Sequence, residues 1–217
     1  MKYFIIFFTG MLTLISCTGQ NKIDIETIDY NQNFINFFKE KDIQRKIFEM
    51  EDVWTHLPVT YTYEINKFRF GEIDFKLESE IKGGDDKSAS TVKFFWKNQD
   101  MTINKTEGKI IGIEVSINNL SEAENLTDYL KKKYGKPELL INLKEPKTKK
   151  NAIIMGVETY YWELLNNDYS IIYNKNYGES FNQQNLHGLL FVIKKNATVN
   201  LYGEEKNVIK KMISSLK

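Results

Sequence analysis

Two histidines, His56 and His187, and one cysteine, Cys17, are the whole stock of imidazole and thiol in this 217-residue chain. A zinc site draws three or four ligands from cysteine, histidine and carboxylates. Residues so few and so widely spaced offer no recognisable set, so no metal and no other cofactor is expected. The stretch GESFN, Gly178 to Asn182, imitates the opening of a nucleophile elbow, where a serine sits between two glycines on a sharp strand-to-helix turn. Here Asn182 replaces the second glycine and no strand runs straight into a helix, so the stretch reads as an exposed loop. The phosphate-cradling patterns GxxxxGK[ST] and GxGxxG do not occur. GGDD, Gly83 to Asp86, lacks the alternating ligands and closing glutamate of a calcium loop and serves as a polar hairpin tip. Carboxylate pairs for glycoside hydrolysis meet in space and not in order, so the 29 acidic residues decide nothing. No catalytic residue is assigned, and enzyme activity is not expected.

Aromatic residues are the stronger candidates for recognition. Phe94-Phe95-Trp96 and Tyr160-Tyr161-Trp162 each place rings on both faces of a strand. If helices cover one side of the sheet only, some of these rings face water, where they suit sugar faces, peptides or a protein partner. A second helix layer, or the N-terminal helices, would cover them instead. The connection Asn174 to Gly188, NKNYGESFNQQNLHG, is long for a loop without structure of its own, and such loops tend to be functional or disordered. Tyr160, Trp162, Tyr177, Phe181 and His187 are therefore the candidate ligand-binding residues. A basic group, Lys131, Lys132, Lys133 and Lys136, is followed closely by KEPKTKK, Lys144 to Lys150. It could touch anionic headgroups or an acidic partner, but a solvated loop beside a solvated helix face is the preferred reading.

Nucleic acid is not an expected partner. The chain carries 30 basic and 29 acidic side chains, so no large positive field is available for counterion release. Nearly all the basic residues are lysine, whereas bidentate contacts to phosphate and guanine favour arginine.

The elements that must position these residues follow from periodicity. Asn33–Lys39 and Asp42–Val53 bring Phe34, Phe37 and Phe38, then Ile43, Ile47 and Phe48, to helical spacings and predict two short helices. From Val59 the pattern alternates. Ile73, Phe75 and Leu77 share one face of a strand, Val92, Phe94 and Trp96 a face of the next, and Ile111, Ile113, Val115 and Ile117 a face of a third. GGDDK (83–87) and TEGK (106–109) are turns between them. SEAENLTDYLKKKYGKP predicts a helix opened by a Ser121–Glu124 capping box and ended at Gly135. Strands are then expected at Leu139–Leu143, Val157–Leu165, Tyr169–Tyr173, Leu189–Lys194 and Thr198–Tyr202, with a hairpin turn at Asn166–Asp168. A last helix is expected over Glu204–Leu216. The fold class is α+β: antiparallel sheet with helices packed mainly on one side. The order meander, helix, meander, helix suggests two related halves, about 59–135 and 138–216, without residue-level repetition.

The first residues address the compartment. Lys2 is followed by an apolar stretch to Ile15, relieved only by Thr9, Gly10 and Thr13. That is the layout of a secretory signal peptide, shorter than the roughly 20 residues of a membrane-spanning helix. Its end, Leu14-Ile15-Ser16-Cys17, resembles the lipobox of bacterial lipoproteins. The resemblance implies removal of residues 1–16 and acylation of Cys17 through sulfur and through its new amino group. Removing Lys2 with the peptide leaves 29 basic against 29 acidic side chains. An ordinary signal peptide would leave Cys17 as an odd thiol exposed to oxidation. Residues 17–33 are polar and read as a lipidated cysteine and flexible tether, leaving 34–217 as a single domain. Thr18 is not the aspartate that in lipoproteins commonly signals inner-membrane retention, which points to the outer membrane.

A second resemblance lies further on. YLKKKYGKPELLI followed by YYWELLNNDYSIIYN is similar to a pattern recurring in small, mostly uncharacterised bacterial lipoproteins and envelope proteins. It spans about a third of the chain and brings no active site with it. The expected function is a lipid-anchored cell-envelope protein with a non-catalytic binding or structural role, its partners the membrane and an envelope protein or glycan. A carbohydrate- or peptide-binding receptor component is the alternative, and an envelope hydrolase the third.

Overall fold

The computed structural model describes residues 22–52, 55–76, 90–97, 108–144, 156–177 and 187–216. Its centre is an eight-stranded antiparallel sheet, in the order β2-β3-β6-β7-β11-β10-β9-β8. The strands are β2 (Lys46–Glu51), β3 (Pro58–Thr62), β6 (Val92–Lys97), β7 (Lys109–Ile117), β8 (Glu138–Lys144), β9 (Gly156–Glu163), β10 (Tyr169–Tyr177) and β11 (Gly188–Lys194). Short strands β1 (Ile23–Asp24), β4 (Phe68–Phe70) and β5 (Ile73–Asp74) make a small second sheet. There β1 runs parallel to β4. A hairpin, β12 (Thr198–Leu201) and β13 (Glu204–Asn207), leads into the last helix.

The large sheet is two four-stranded meanders joined where β7 meets β11, with Ile113 opposite Val192 and Val115 opposite Leu190. Of these two meanders, the first begins at β2, ahead of the half expected from residue 59. They are not copies related by the sheet's own symmetry. A two-fold axis relating antiparallel neighbours stands perpendicular to the sheet and keeps each face on its own side. Yet α2 (Leu120–Tyr134) packs on one face and α3 (Val208–Leu216) on the other.

Sheet alternation sorts the core into two layers. On one face, Val92, Phe94, Ile113, Val115, Val192, Ile171 and Tyr173 meet α1 (Phe34–Glu40) and α2. Phe34 stacks on Trp96 at 4.7 Å between ring centroids, and Phe37 and Phe38 both lie against Phe94. On the other face, Val59, Phe95, Phe191, Ile193 and Ile172 meet Val208, Ile209 and Met212 of α3. Among the described residues, two of the three α-helices thus share one side, as the α+β reading expects. Lys211 of α3 lies near enough to Asp52, at the end of edge strand β2, for their charges to interact, and α3 also touches β8 at the opposite edge. Eight strands about 4.8 Å apart span roughly 34 Å, while a nine-residue helix is about 14 Å long. The sheet must therefore curl around α3.

Several expectations are corrected. Asp42–Val53 is not helical: Lys46–Glu51 is edge strand β2, because pairing with β3 outweighs a weak helical period. The capping box does not open α2; Asn119 does, its side chain accepting from the Glu122 amide at 3.0 Å. The helix does end at Gly135, whose φ of 78° suits glycine. Glu204–Asn207 is strand β13, so α3 starts at Val208. The register shifts between Phe95 and Trp96, and Ile111 consequently joins the α3 face and not the face of Ile113. The strand expected over Ile73–Leu77 shortens to the two residues of β5, and Leu77 lies outside the described residues.

The proposed tether also changes. From Lys22 onward the segment is part of the fold: Ile23 pairs with Phe68, Ile25 is fully buried and Tyr30 nearly so. Residues 1–21, with Cys17, lie outside the described residues, as do GGDDK, the first part of TEGK (106–107), GESFN and positions 145–150 of KEPKTKK.

Candidate functional site

Strand β7 reads KIIGIEVSI, and Glu114 is the one acidic residue in it. Alternation turns Ile113 and Val115 toward α1 and α2, so Glu114 is carried to the α3 face together with Ser116. Its side chain is 1% exposed. Register places Lys93 of β6 directly opposite, and the Lys93 Nζ lies 2.7 Å from Glu114 Oε1. The same ammonium lies 3.7 Å from Asp52 Oδ1. Asp52 in turn holds the β2–β3 turn, accepting from the Thr55 amide at 2.9 Å and the Thr55 hydroxyl at 3.0 Å. Ser116 donates to Glu114 at 3.5 Å, while Glu114 Oε2 is buried with no hydrogen-bond partner among the described residues.

Burial raises the pKa of Glu114 above the ordinary carboxylate value, and the attraction of Lys93 offsets this only in part. Lys211 shifts the opposite way: burial lowers its pKa, and Asp52 partly restores it. A buried carboxyl whose pKa is raised is a candidate for proton transfer. However, Lys93 occupies Oε1, and the α3 layer covers this face of the sheet. The cluster therefore ties the β2–β3 turn to the sheet centre as a closed ionic contact. It was not recognised among the candidate residues, although a lone acid in a run of isoleucines is a signal for it.

A second cluster surrounds Glu26, in the 3-10 turn Ile25–Thr27. Its carboxylate, 8% exposed, takes Lys133 at 2.6 Å, the Tyr129 hydroxyl at 3.1 Å and the Tyr134 hydroxyl. Burial opposes the charge on Lys133, but hydrogen bonds to Glu26 and Tyr129 outweigh it and hold its pKa above the ordinary value. Burial and the hydrogen bond to Glu26 push the Tyr134 hydroxyl well up as well. Gly71, at φ 56°, admits this contact: a Cβ there would stand 1.8 Å from the Tyr129 hydroxyl. The cluster clamps the N-terminal segment to the last turn of α2.

The sequence-derived candidates fare differently. Tyr160 and Trp162 are 7% and 3% exposed. Trp162 Nε1 donates to the Gly135 carbonyl at 3.0 Å, and Tyr160 lies under the Lys131 ammonium, 4.6 Å from its ring centroid. The helical layer covers both rings, so neither presents a face to solvent. Tyr177 ends β10, and Phe181 lies outside the described residues. His187 precedes β11, with its amide donating to the Ile117 carbonyl and its Nδ1 buried without a partner among the described residues. His56, at φ 56°, lies in the β2–β3 turn at the other end of the sheet, so the two imidazoles do not meet. Among the described residues no group of three or more His, Cys, Asp and Glu could hold a metal ion.

Compared with known protein families, curated proteins and solved structures, the chain matches none.

Proposed function

We propose that this chain is a lipid-anchored protein of the cell envelope, held at the outer membrane, whose domain has a binding or structural role without chemistry of its own. The observation that carries the reading is Leu14-Ile15-Ser16-Cys17 at the end of an apolar N-terminal stretch. Lys22, five positions after Cys17, already belongs to the packed domain. The ionic contact at Glu114 is closed, which favours a structural role for the most heavily buried charges. Among the described residues no helix is long and apolar enough to cross a membrane, so membrane attachment in this reading rests on the lipid.

Intact mass spectrometry of the native membrane-extracted protein, beside a Cys17→Ala variant, tests the anchor. The expected result is a mature chain beginning at Cys17 with added acyl mass, and loss of both acyl mass and membrane retention in the variant. An unlipidated native product cleaved elsewhere would refute the proposal. Cross-linking of the native form in whole cells then identifies the neighbour.

A further inference from the structure

The sheet face that carries α3 changes character along its strands. Glu114, Phe191 and Ile172 lie side by side across β7, β11 and β10, all three buried. Phe191 and Ile172 pack in one cluster with Val208, Ile209 and Met212 of α3. Two residues further along each strand, about 7 Å away, the next row reads Ser116, Leu189, Asn174 and Thr159 on β7, β11, β10 and β9. Alternation turns all four to the α3 side. Ser116, Leu189 and Asn174 are only half-buried, so solvent reaches them. So are Asn176 and His187 one row beyond, where the Asn176 amide donates to the His187 carbonyl at 3.0 Å. An apolar row under the helix thus gives way to amide, hydroxyl and imidazole on the concave side of the sheet.

These groups are not spent on the fold. Thr159 is 0% exposed, and its hydroxyl has no hydrogen-bond partner among the described residues. The same is true of Asn174 Oδ1, directly opposite, and of His187 Nδ1. Buried polar atoms are as a rule hydrogen-bonded, and packing alone would favour valine at position 159. Three unpartnered atoms in adjoining rows of one face are what a polar ligand would satisfy.

The surroundings define its chemistry. Among the described residues neither row holds a carboxylate, lysine or arginine, and the nearest charges, Lys93 and Glu114, engage each other at 2.7 Å. The ligand is therefore neutral. Strands β7, β11, β10 and β9 each have a neighbour on both sides, so their backbone groups are taken up in the ladder. An extended peptide finds no strand edge to pair with here. Side chains must do the holding. Sugar hydroxyls, each both donor and acceptor, match amide and hydroxyl partners, and Leu189 between the polar positions offers an apolar contact.

We propose that this row binds a neutral saccharide: Asn174 and His187 hydrogen-bond its hydroxyl groups, Leu189 meets the C–H face of a ring, and turning of the Asn174 amide opens the Thr159 hydroxyl to it. This rests on the binding half of the proposed role and is independent of the anchor.

The test applies the native full-length protein in detergent to an array of neutral and acidic oligosaccharides, then titrates the strongest neutral one. Asn174→Ala and Thr159→Val are each expected to weaken that binding roughly tenfold, the loss of one or two hydrogen bonds. Leu165→Ser, at an exposed turn, is expected to leave it unchanged. Thr159→Val is also expected to keep or raise the thermal midpoint, since the hydroxyl it removes has no partner among the described residues. A lowered midpoint assigns that hydroxyl to the fold and overturns the site, as does full binding by both variants. Binding confined to acidic glycans, or to none, overturns the saccharide; a neighbour cross-linked in cells then leaves the binding role standing. A native mass without lipid refutes the anchor and does not touch this result.

Discussion

Replacing Lys93 by methionine should destabilise the protein far more than replacing the buried acid it serves. Lys93 is about one-third exposed, whereas Glu114, 2.7 Å away, is 1% exposed. Removing the lysine leaves a carboxylate enclosed in the sheet without its counter-ion, a change that costs about 3–5 kcal/mol in such pairs. Glu114 can relieve this only by binding a proton. Burial already raises its pKa, and loss of Lys93 removes the interaction that lowers it. The folded variant then holds a proton that the unfolded chain has released, so its stability falls as pH rises above the normal carboxylate range. Acidification restores stability at up to about 1.4 kcal/mol per pH unit. In Glu114→Gln the buried charge is gone and Lys93 retains water and Asp52, so the cost should be within about 1 kcal/mol. Urea denaturation at a slope of about 2 kcal/mol/M should show the Lys93→Met midpoint roughly 1.5 M below the native one at about pH 7.5. At about pH 5.5 the deficit should shrink to about 1 kcal/mol. A Lys93→Met deficit that is the same at both pH values, or a Glu114→Gln loss as large as that of Lys93→Met, would refute the reasoning.

Two further outcomes follow from the corrected and newly found contacts. Asn119→Ala should cost about 1 kcal/mol through loss of the α2 cap, while Ser121→Ala should change stability by under about 0.5 kcal/mol, both read by thermal or urea denaturation. Glu26→Ala breaks contacts to Lys133, Tyr129 and Tyr134. A loss of about 2–3 kcal/mol is expected, with faster hydrogen exchange over residues 22–33 than over β10; uniform exchange across both would argue against a clamp.

Much of the architecture was legible because its causes are local. The Gly135 stop, the Asn166–Asp168 hairpin turn and strands β6 to β11 follow from turn chemistry and alternation. Misreadings arose where distant partners decide. Lys46–Glu51 carries residues compatible with either period, and only β3 beside it makes a strand. Residues 22–33 look like tether because their apolar positions are few. Yet Ile25 and Tyr30 fill the core, and Glu26 meets Lys133 107 positions away. Tyr160 and Trp162 showed their rings in the sequence without showing the α2 layer over them.

The sequence by itself determined the α+β class, the position of α2 and the meander order, since each arises from neighbours within a few residues. It is also the sole carrier of the proposed anchor, a linear signal at Leu14–Cys17. Only the tertiary structure decided that α3 lies on the face opposite α1 and α2, that the sheet curls around it, and that Glu114, Lys93 and Asp52 converge. These depend on register and burial, which are properties of strands brought together across the whole chain, and no local period encodes them.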